Sequence, residues 1–490
     1  MADKLKSLVI NAPETGIAIS PFKGIADIRN LDIFSIPGVA KLNNILEKKS
    51  STTVTAQIKW AVKNPASPAN IYVIDSNGVV YNSSDSGATW ASLSDRTGAG
   101  EGLLVWKDYL IVAKTTGLDT YGPLSGTPAW VLDWQTIDTG AWHPMLTSKL
   151  DGKVYGGAGR YVFTIEEVSG QNFAPGTGAT FTFTQQHLDL PEDYKIKCLT
   201  ELGNNLLCGT WQGTNVYDNK IADIFPWDGT STTYGQPIIM NEHGVHAMIT
   251  IGNYAYIMAG IEGTIYKSGG VSAWAIAQIP LSVADISNGK YLEPYPGALI
   301  NYKGRPFFGV SSQNVADGMG IYSLMETKKG TILNFEHSIS EEVMGSANPT
   351  VIGALLGITR DKLAVGWRNN ATYGIDVINP ASFLHTTAYT KAYFDSPLYV
   401  IGTNLQKRQF SQLEFLLSKP LRTDEGIKIE YRTDLTASFT TIGTYTFALL
   451  GAVISHNTTA DIPASELIQL RVSLKGTSTT TPEFRSVILK

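Results

Sequence analysis

The densest group of potential metal ligands in the sequence is the segment NEHGVH, which contains Glu242, His243 and His246. A carboxylate and two imidazoles are ligands that Zn²⁺ accepts, but the usual motif needs a helix to place two histidines on one face. Gly244 interrupts the segment, and the β-like run AMITI follows it. We therefore interpret NEHGVH as a polar entrance to a strand, and we predict no metal and no cofactor.

Adjacent carboxylates are the next candidates for acid–base chemistry, at Glu166 with Glu167 and at Glu341 with Glu342. Neighbouring residues on a strand point to opposite faces, so neither pair forms the opposed acid and base of a glycosidase. The sequence also lacks a Gly-x-Ser-x-Gly elbow, a phosphate-binding loop and a Cys-x-x-Cys pair. We therefore predict that the chain is not an enzyme.

The elements that must position any functional residues are short strands. The chain has 490 residues, of which 43% are hydrophobic and only 17% are charged, and it contains 47 glycines. This balance is typical of many strands and tight turns rather than long amphipathic helices. The length exceeds one ordinary compact core, so several units or a large repeat fold are expected.

Charge and targeting signals exclude several classes of function. The net charge is −5 and no Lys/Arg tract suggests specific binding of nucleic acid. The first residues, MADKLKSLVINAPETG, lack the apolar core of a signal peptide, and the longest apolar stretch, FALLGAVI, is too short to span a bilayer. We expect synthesis in the cytoplasm without a signal peptide, and no membrane insertion.

The two cysteines, Cys198 and Cys208, flank LTELGNNLL, which is typical of a hairpin. They could lie close enough for a disulfide. Two buried free thiols are favoured, because disulfide-stabilised scaffolds are much richer in cysteine.

A four-strand pattern recurs along the middle of the chain. A polar turn leads into a strand of small and apolar residues at WKDYLIVAK, LGNNLLCGTW, IGNYAYIMAG and TRDKLAVGWR, among others. The turns repeat at roughly 40–57 residues, close to the ~40–50-residue period of propeller blades. The pattern predicts an all-β fold whose main part is a β-propeller of about seven four-stranded blades at residues 55–385.

The octapeptide SSDSGATW lies between the third and fourth strands of the first predicted blade. Its residues Ser83, Asp85, Gly87, Thr89 and Trp90 match the Asp-box, Ser-x-Asp-x-Gly-x-Thr-Trp, of propeller families. Asp85 can accept hydrogen bonds from backbone N–H groups of its own turn. Gly87 can adopt a backbone conformation that other residues resist, and Trp90 can bury its ring against the neighbouring sheet. We predict a structural role, and a degraded copy occurs at Ser268, Gly270 and Trp274.

The two ends of the chain lack the blade pattern. Residues 386–490 alternate apolar and polar over strand lengths, as in FSQLEFLLSKPL and ELIQLRVSLKG, which predicts a C-terminal β-sandwich. Residues 1–54 contain short strand-like pieces around a Pro-Gly pair, and we predict an N-terminal arm that docks on the propeller or on a neighbouring subunit.

Several segments resemble β-propeller virion proteins of tailed bacteriophages, of the tail nozzle or hub type. They are IADIRNLDIFSIPGVAKLNNIL near the start, LDLPEDYKIKCLTELGNNLLCGT and IFPWDGTS in the middle, and LIQLRVSLKGTSTTTPEFRSVIL at the end. The resemblance implies a structural component of a phage tail or phage-like particle that is located in the virion. It implies a homo-oligomeric ring, with a hexamer favoured, contacts with other tail or portal-side proteins, and passage of DNA without specific binding.

Two other functions stay open. A receptor- or carbohydrate-binding tail protein would recognise a host surface glycan through the sandwich, with Tyr431, Tyr445 and Phe447 as aromatic platforms.

A sialidase-like glycoside hydrolase is suggested by the Asp-box, but it would need an arginine triad to clamp the substrate carboxylate. The few arginines before residue 386 do not match that arrangement; they are Arg29, Arg96, Arg160, Arg305, Arg360 and Arg368.

Overall fold

The computed structural model describes residues 7–11, 27–49, 54–93, 96, 98–176, 180–213, 221–279, 291–312, 315, 318–327, 330–344, 348–384, 389–403 and 406–490. The chain forms two compact units. One comprises residues 1–46, 322–345 and 378–490, and the other residues 47–321 and 346–377. The chain therefore passes between the units more often than the predicted division into 1–54, 55–385 and 386–490.

The N-terminal residues contribute five short strands: β1 (Leu8–Asn11), β2 (Asp27–Arg29), β3 (Leu31–Asp32), β4 (Lys41–Leu42) and β5 (Asn44–Lys48). Strands β3 and β4 pair with each other as a small antiparallel ribbon. The other three join larger sheets. The predicted arm is thus built into the fold strand by strand.

Six sheets each consist of four consecutive strands, hydrogen-bonded in chain order. The strands of the first three are β6 (Ile58–Lys63), β7 (Ile71–Asp75), β8 (Val80–Ser83), β9 (Ala91–Leu93), β10 (Gly102–Trp106), β11 (Tyr109–Lys114), β12 (Gly117–Gly122), β13 (Ala129–Thr136), β14 (Met145–Thr147), β15 (Val154–Ala158), β16 (Tyr161–Glu167) and β17 (Phe181–Asp189). Those of the next three are β18 (Lys195–Leu202), β19 (Asn205–Trp211), β20 (Ile221–Trp227), β21 (Ile238–His243), β22 (Val245–Ile251), β23 (Tyr254–Ala259), β24 (Thr264–Ser268), β25 (Ala273–Gln278), β26 (Leu299–Tyr302), β27 (Arg305–Val310), β28 (Gly320–Thr327) and β29 (Gly330–His337).

The seventh sheet is completed from the start of the chain. Its strands are β30 (Thr350–Gly357), β31 (Leu363–Asn369) and β32 (Thr372–Phe383), and β5 is its outermost strand. The ladder continues at Lys49, whose N–H donates to the carbonyl of Ile375 at 2.9 Å. Within the described part of the chain the propeller therefore has seven four-stranded blades, which confirms the predicted all-β fold.

The burial of each strand within a blade explains whether its residues are apolar or polar. Strand β7 is buried along its whole length, whereas most of the outermost strand β13 is half-buried or exposed. A strand covered on both faces by neighbouring blades must be apolar on both faces, which is why the second strand of each repeat reads as a continuous apolar run.

The remaining strands form a β-sandwich: β33 (Tyr393–Asp395), β34 (Tyr399–Val400), β35 (Arg408–Leu417), β36 (Gly426–Arg432), β37 (Thr440–Thr446), β38 (Ser455–Ser465), β39 (Leu467–Lys475) and β40 (Phe484–Leu489). One sheet has the order β1-β40-β35-β38, and the other has the order β2-β33-β39-β36-β37 with β34 beside β39. Phe394 and Phe484 face each other between the sheets, with ring centroids 5.7 Å apart. The sandwich thus recruits β1 and β2 in addition to the predicted C-terminal strands.

Helices are short in the described residues. They are α1 (Ser340–Val343), α2 (Phe447–Leu450) and a 3₁₀ turn at Pro296–Ala298. Among these residues no helix has the length and apolar character needed to cross a membrane. Glu341 and Glu342 lie in α1, not on a strand as assumed above.

Cys198 and Cys208 lie on the two strands of the predicted hairpin, β18 and β19, and both are buried free thiols. In the register of this hairpin Cys198 stands opposite Gly209, and Cys208 stands opposite Leu199. The two cysteines therefore point to opposite faces of the blade, and each packs in a different apolar cluster. This alternation of side chains prevents a bridge between them.

Candidate functional sites

Strand direction gives the two faces of the propeller different connections. Because the four strands of a blade alternate in direction, the segments between blades and the turns between second and third strands share one face. We call this the linker face. The turns that join first to second and third to fourth strands share the other, which we call the hairpin face.

Trp142, in the segment that connects the second and third blades, marks the propeller axis on the linker face. The Lys59 Nζ of the first blade lies 4.0 Å from the centroid of its ring. Tyr295, just before the sixth blade, packs edge to face against the same ring at 5.3 Å. Side chains from such distant blades can meet only where the blades converge.

Lys59 is held in place from several directions. Its Nζ forms an ion pair with the carboxylate of Glu101 and donates to the carbonyl of Ala141 at 3.1 Å. The indole N–H of Trp60 donates to the carbonyl of Glu101 at 2.9 Å. These contacts connect the first blade to the two segments that follow it.

Lys197, on the innermost strand of the fourth blade, is only 2% exposed. Its Nζ donates to Nδ1 of His246 at 2.8 Å and lies 5.2 Å and 5.7 Å from the ring centroids of Trp142 and Trp211. Burial lowers the pKa of Lys197 to about 8. Burial, followed by the charge of Lys197, lowers the pKa of His246 well below its usual value, so His246 is the neutral acceptor.

A cavity of about 380 Å³ opens beside these residues on the linker face. Its wall includes Glu101, Thr139, Trp142, Lys195 and Trp211. We call this cavity the axial pocket. Lys195 is exposed, donates to the carbonyl of Gly213 at 3.2 Å, and places Nζ 5.9 Å from the ring of Trp211.

The burial of Lys197 predicts a specific dependence of stability on pH. The folded-state pKa of about 8 lies below the ordinary lysine pKa of 10.5, so the unfolded chain binds more protons between these pH values. We expect the free energy of unfolding of the wild type, relative to Lys197→Met, to rise by on the order of 3 kcal/mol from pH 8 to pH 10.5. Urea denaturation of both proteins at pH 7, 9 and 10.5 measures this difference. A constant difference across the range would contradict it.

The turn at residues 83–90 lies on the hairpin face of the first blade, between β8 and β9. Its hydrogen bonds are local: Ser83 Oγ donates to Asp85 Oδ1 at 2.7 Å, and the N–H and hydroxyl of Thr89 donate to the Asp85 carboxylate at 2.9 Å and 2.6 Å. The N–H of Gly87 donates to Ser83 Oγ at 2.9 Å. Trp90 is buried, so this turn holds an aromatic anchor, and the exposed Asp85 carboxylate is used within the turn itself.

The Asp85 carboxylate should make the stability of this turn sensitive to acid. The hydrogen bond from the Thr89 hydroxyl is the main cause that lowers the pKa of Asp85 to about 2. A carboxylate whose pKa is lowered by folding stabilises the fold at pH values above its unfolded-state pKa. This stabilisation is lost as the pH falls through its folded-state pKa. We expect Asp85→Ala to melt a few degrees below the wild type at pH 7 and at nearly the same temperature at pH 2. Thermal melts at the two pH values, with Asp193→Ala as an exposed control, provide the test.

The other sequence candidates have partners within the protein. Glu242 accepts from the hydroxyl of Tyr266, and His246 is turned towards Lys197, so NEHGVH is the turn between the fourth and fifth blades. The described residues contain no group of three His, Cys, Asp or Glu side chains arranged to hold a metal. Arg96 is buried against Asp119 at 3.0 Å, and Arg160 pairs with Asp189 at 2.9 Å.

The carboxylates of Glu166 and Glu167 form ion pairs with different lysines. Glu166 pairs with Lys153, and Glu167 pairs with Lys107, each at 3.0 Å. The two side chains therefore point away from each other, as the alternation of a strand requires.

The candidate aromatic platforms of the sandwich are not equivalent. Tyr445 is buried and packs against Phe415, with ring centroids 4.8 Å apart, so it cannot stack on a ligand. Tyr431 is half-buried on β36. Phe447 is exposed at the start of α2, in the apolar stretch FALLGAVI.

That stretch is an exposed apolar surface, which we call the sandwich loop (residues 447–454). Its four exposed large side chains are Phe447 (36%), Leu449 (65%), Val453 (38%) and Ile454 (54%). The sequence analysis considered this segment as a bilayer span and Phe447 as an aromatic platform, but not as an exposed apolar surface. Its exposure follows from its place between two strands, because α2 ends at Leu450 and the chain turns back towards β38 at Gly451, where φ is +65°.

The axial pocket was not foreseen from the sequence. Glu101, Trp142 and Lys195 lie at similar points of three successive repeats, before or at the start of the innermost strand. In the sequence, the pocket could have been suspected from this repetition of a charged or aromatic residue just before the first strand of consecutive blades. Only the closed ring brings the three positions together.

Comparison with solved structures finds similarity at low sequence identity. The structure is similar to the β-propeller domain of Cps50 (Swd1) from Myceliophteria thermophila, with 10% identity, 68% of this chain and 100% of that chain covered, and a TM-score of 0.44. It is also similar to the RRP9 WD40 repeats, with 11% identity, 68% of this chain and 99% of that chain covered, and a TM-score of 0.43. A third similar structure is the computationally designed Ika8 protein, with 13% identity, 68% of this chain and 99% of that chain covered, and a TM-score of 0.40. No family model and no curated protein matches the sequence.

Proposed function

We propose that this chain is a non-enzymatic structural component of a bacteriophage tail or phage-like particle, of nozzle or hub type, that assembles into a ring of identical copies. The sequence segments that resemble such virion proteins support this function. The single structural observation that favours assembly is the sandwich loop. Large exposed apolar patches on a folded protein mark sites of interaction.

The occupant of the sandwich loop in this proposal is a second copy of the chain. The loop carries no charge, and no Lys or Arg occurs between Arg432 and Arg471. An apolar segment that binds a membrane surface normally carries basic residues, and the loop itself has none, which favours a protein partner in this proposal. An uncharged protein surface is a better match.

The candidate surface in this proposal is on the propeller. A groove of about 450 Å³ lies between the fourth and fifth blades, where Pro226, Tyr234 and Val271 lie beside polar residues and one carboxylate, Asp228. Val271 is 89% exposed at its edge. A loop on one copy that binds a different surface on the next copy makes a heterologous contact, and such contacts close into rings when the rotation permits. In this proposal the ring encloses the passage for DNA and contacts other tail or portal-side proteins.

Mass measurement of the purified full-length chain tests the proposal. We expect a closed oligomer, with a hexamer favoured, by native mass spectrometry and light scattering. The double variant Leu449→Glu with Ile454→Glu should be monomeric, because two charges would have to be buried in the contact. Leu435→Glu, at another exposed position of the sandwich, is the control and should assemble as the wild type does. A wild type that is monomeric at high concentration, or a double variant that assembles normally, would refute the proposal.

A further inference from the structure

We propose that the axial pocket binds a saccharide that carries a carboxylate, such as a uronic acid residue within an oligosaccharide. This binding site is separate from the assembly surfaces described above and does not depend on them. Its components come from the second, third and fourth blades and converge on the linker face.

The volume and shape of the axial pocket fit a sugar. At about 380 Å³ it lies within the range of small-molecule sites, which is roughly 300–1,000 Å³. It is open on the linker face, because Thr115, Thr139 and Lys195 in its wall are all exposed. A ligand can therefore enter from solvent without any rearrangement of the blades.

Two indoles supply the apolar part of the recognition. Trp142 and Trp211 both line the pocket. The C–H face of a pyranose ring is apolar while its edge carries hydroxyls, so a rigid indole wall beside polar groups suits a sugar better than a purely apolar ligand. The indoles are held from behind by Lys197, which lies between 5 and 6 Å from both ring centroids. This support fixes the aromatic wall before a ligand arrives, which lowers the entropic cost of binding.

Polar groups at the rim of the pocket match the hydroxyls of a sugar. The hydroxyls of Thr115 and Thr139 can donate to or accept from a sugar hydroxyl, and the carboxylate of Glu101 can accept from one. Glu101 is already fixed by Lys59, so its orientation is set in the absence of ligand. The pocket thus combines a few oriented polar groups with an aromatic wall, as ligand sites generally do.

The charge around the pocket favours an acidic sugar over a neutral one. Lys59 is neutralised by Glu101, and the charge of Glu293 acts on Lys197. Lys195, at the open rim, has a backbone carbonyl and the ring of Trp211 as its contacts. A carboxylate on the ligand can therefore form a charge-assisted hydrogen bond with Lys195 without displacing a protein carboxylate.

Binding of defined oligosaccharides to the full-length protein tests this site. We would titrate the protein with a hyaluronan tetrasaccharide, which contains glucuronate, and with maltotetraose as the neutral reference, following heat and tryptophan fluorescence. We expect the acidic tetrasaccharide to bind at least ten-fold more tightly than maltotetraose. Lys195→Met should lower its affinity about five- to ten-fold, and Trp211→Ala should lower it at least ten-fold.

Two controls separate this site from general effects of mutation. Trp274→Ala removes an exposed tryptophan outside the pocket, and Lys149→Glu changes an exposed lysine in a turn of the hairpin face. Both should bind like the wild type. Because Trp211 is largely buried, Trp211→Phe serves as a second variant that keeps an aromatic ring, and it should retain most of the affinity.

Several results would overturn the inference. These are no saturable binding of the acidic tetrasaccharide, preference for the neutral one, or binding that Lys195→Met and Trp211→Ala leave unchanged. The oligomeric state is measured separately, so a failure here leaves the proposed ring assembly unaffected, and monomeric protein that still binds would leave this site standing.

Discussion

Replacing Trp90 with alanine is expected to lower the free energy of unfolding by about 3–5 kcal/mol. The indole is 3% exposed and belongs to an apolar cluster that joins the first and last blades. Its neighbours include Ile71 of the first blade and Ile358 and Ile375 beside or within the seventh blade. The cavity left by alanine would therefore open at the point where the ring of blades closes. Urea denaturation at low protein concentration, with tryptophan fluorescence and circular dichroism, measures the loss.

Trp274 provides a matched control within the same chain. It occupies the corresponding place in the degraded copy of the motif, on the outermost strand of the fifth blade, but it is 45% exposed. We expect Trp274→Ala to lower the free energy of unfolding by less than about 1 kcal/mol, as exposed positions generally do. Equal losses for Trp90→Ala and Trp274→Ala would show that the first turn has no special role in closure.

A second variant of this turn separates the backbone from the ring. Gly87 has φ +84°, and a Cβ there would lie 2.9 Å from Cδ1 of Ile358 and 3.1 Å from Cγ2 of Val377. Gly87→Ala should therefore destabilise the protein by about 1–3 kcal/mol although it removes no atoms. Its effect should appear in the same denaturation assay.

Proline at Glu47 is the second change with a large expected effect. The N–H of Lys49 bonds to Ile375, and N–H groups alternate in direction along a strand, so the N–H of Glu47 also points into the ladder of the seventh blade. Glu47→Pro removes that hydrogen bond and loosens β5, the strand that completes the seventh blade. We expect a loss of about 1–3 kcal/mol, because one ladder hydrogen bond is lost and a carbonyl is left unpaired. The half-buried ion pair between Glu47 and Lys49 accounts for only a small part of this loss.

Lys48→Pro is the control for this variant. The N–H of Lys48 points away from the ladder because it alternates with its neighbours, and proline is tolerated on an edge strand at such positions. We expect a loss of less than about 1 kcal/mol after allowing for the contact of Lys48 with the ring of Trp367, 5.0 Å away. Differential scanning calorimetry of the two variants measures the difference. A larger loss for Lys48→Pro than for Glu47→Pro would show that β5 is bonded in the other register.

Local patterns in the sequence were sufficient for the blades. Alternation, apolar runs and turn residues act over a few neighbours, and they predicted four-stranded repeats, the hairpin that contains the two cysteines and the position of the turn at residues 83–90. The hydrogen bonds of that turn lie within eight residues, so their donors and acceptors could be recognised from spacing alone.

Tertiary structure decided the features that depend on distant parts of the chain. The seventh blade takes its last strand from β5, because the ring closes only when the last sheet obtains a fourth strand, and no local pattern says which segment will supply it. The sandwich buries Tyr445, which the sequence offered as a candidate aromatic platform, because the ring packs against Phe415. The axial pocket exists because equivalent positions of successive repeats, far apart in sequence, meet at the axis. Sequence fixes which side chains each repeat offers, and closure of the ring determines which of them meet.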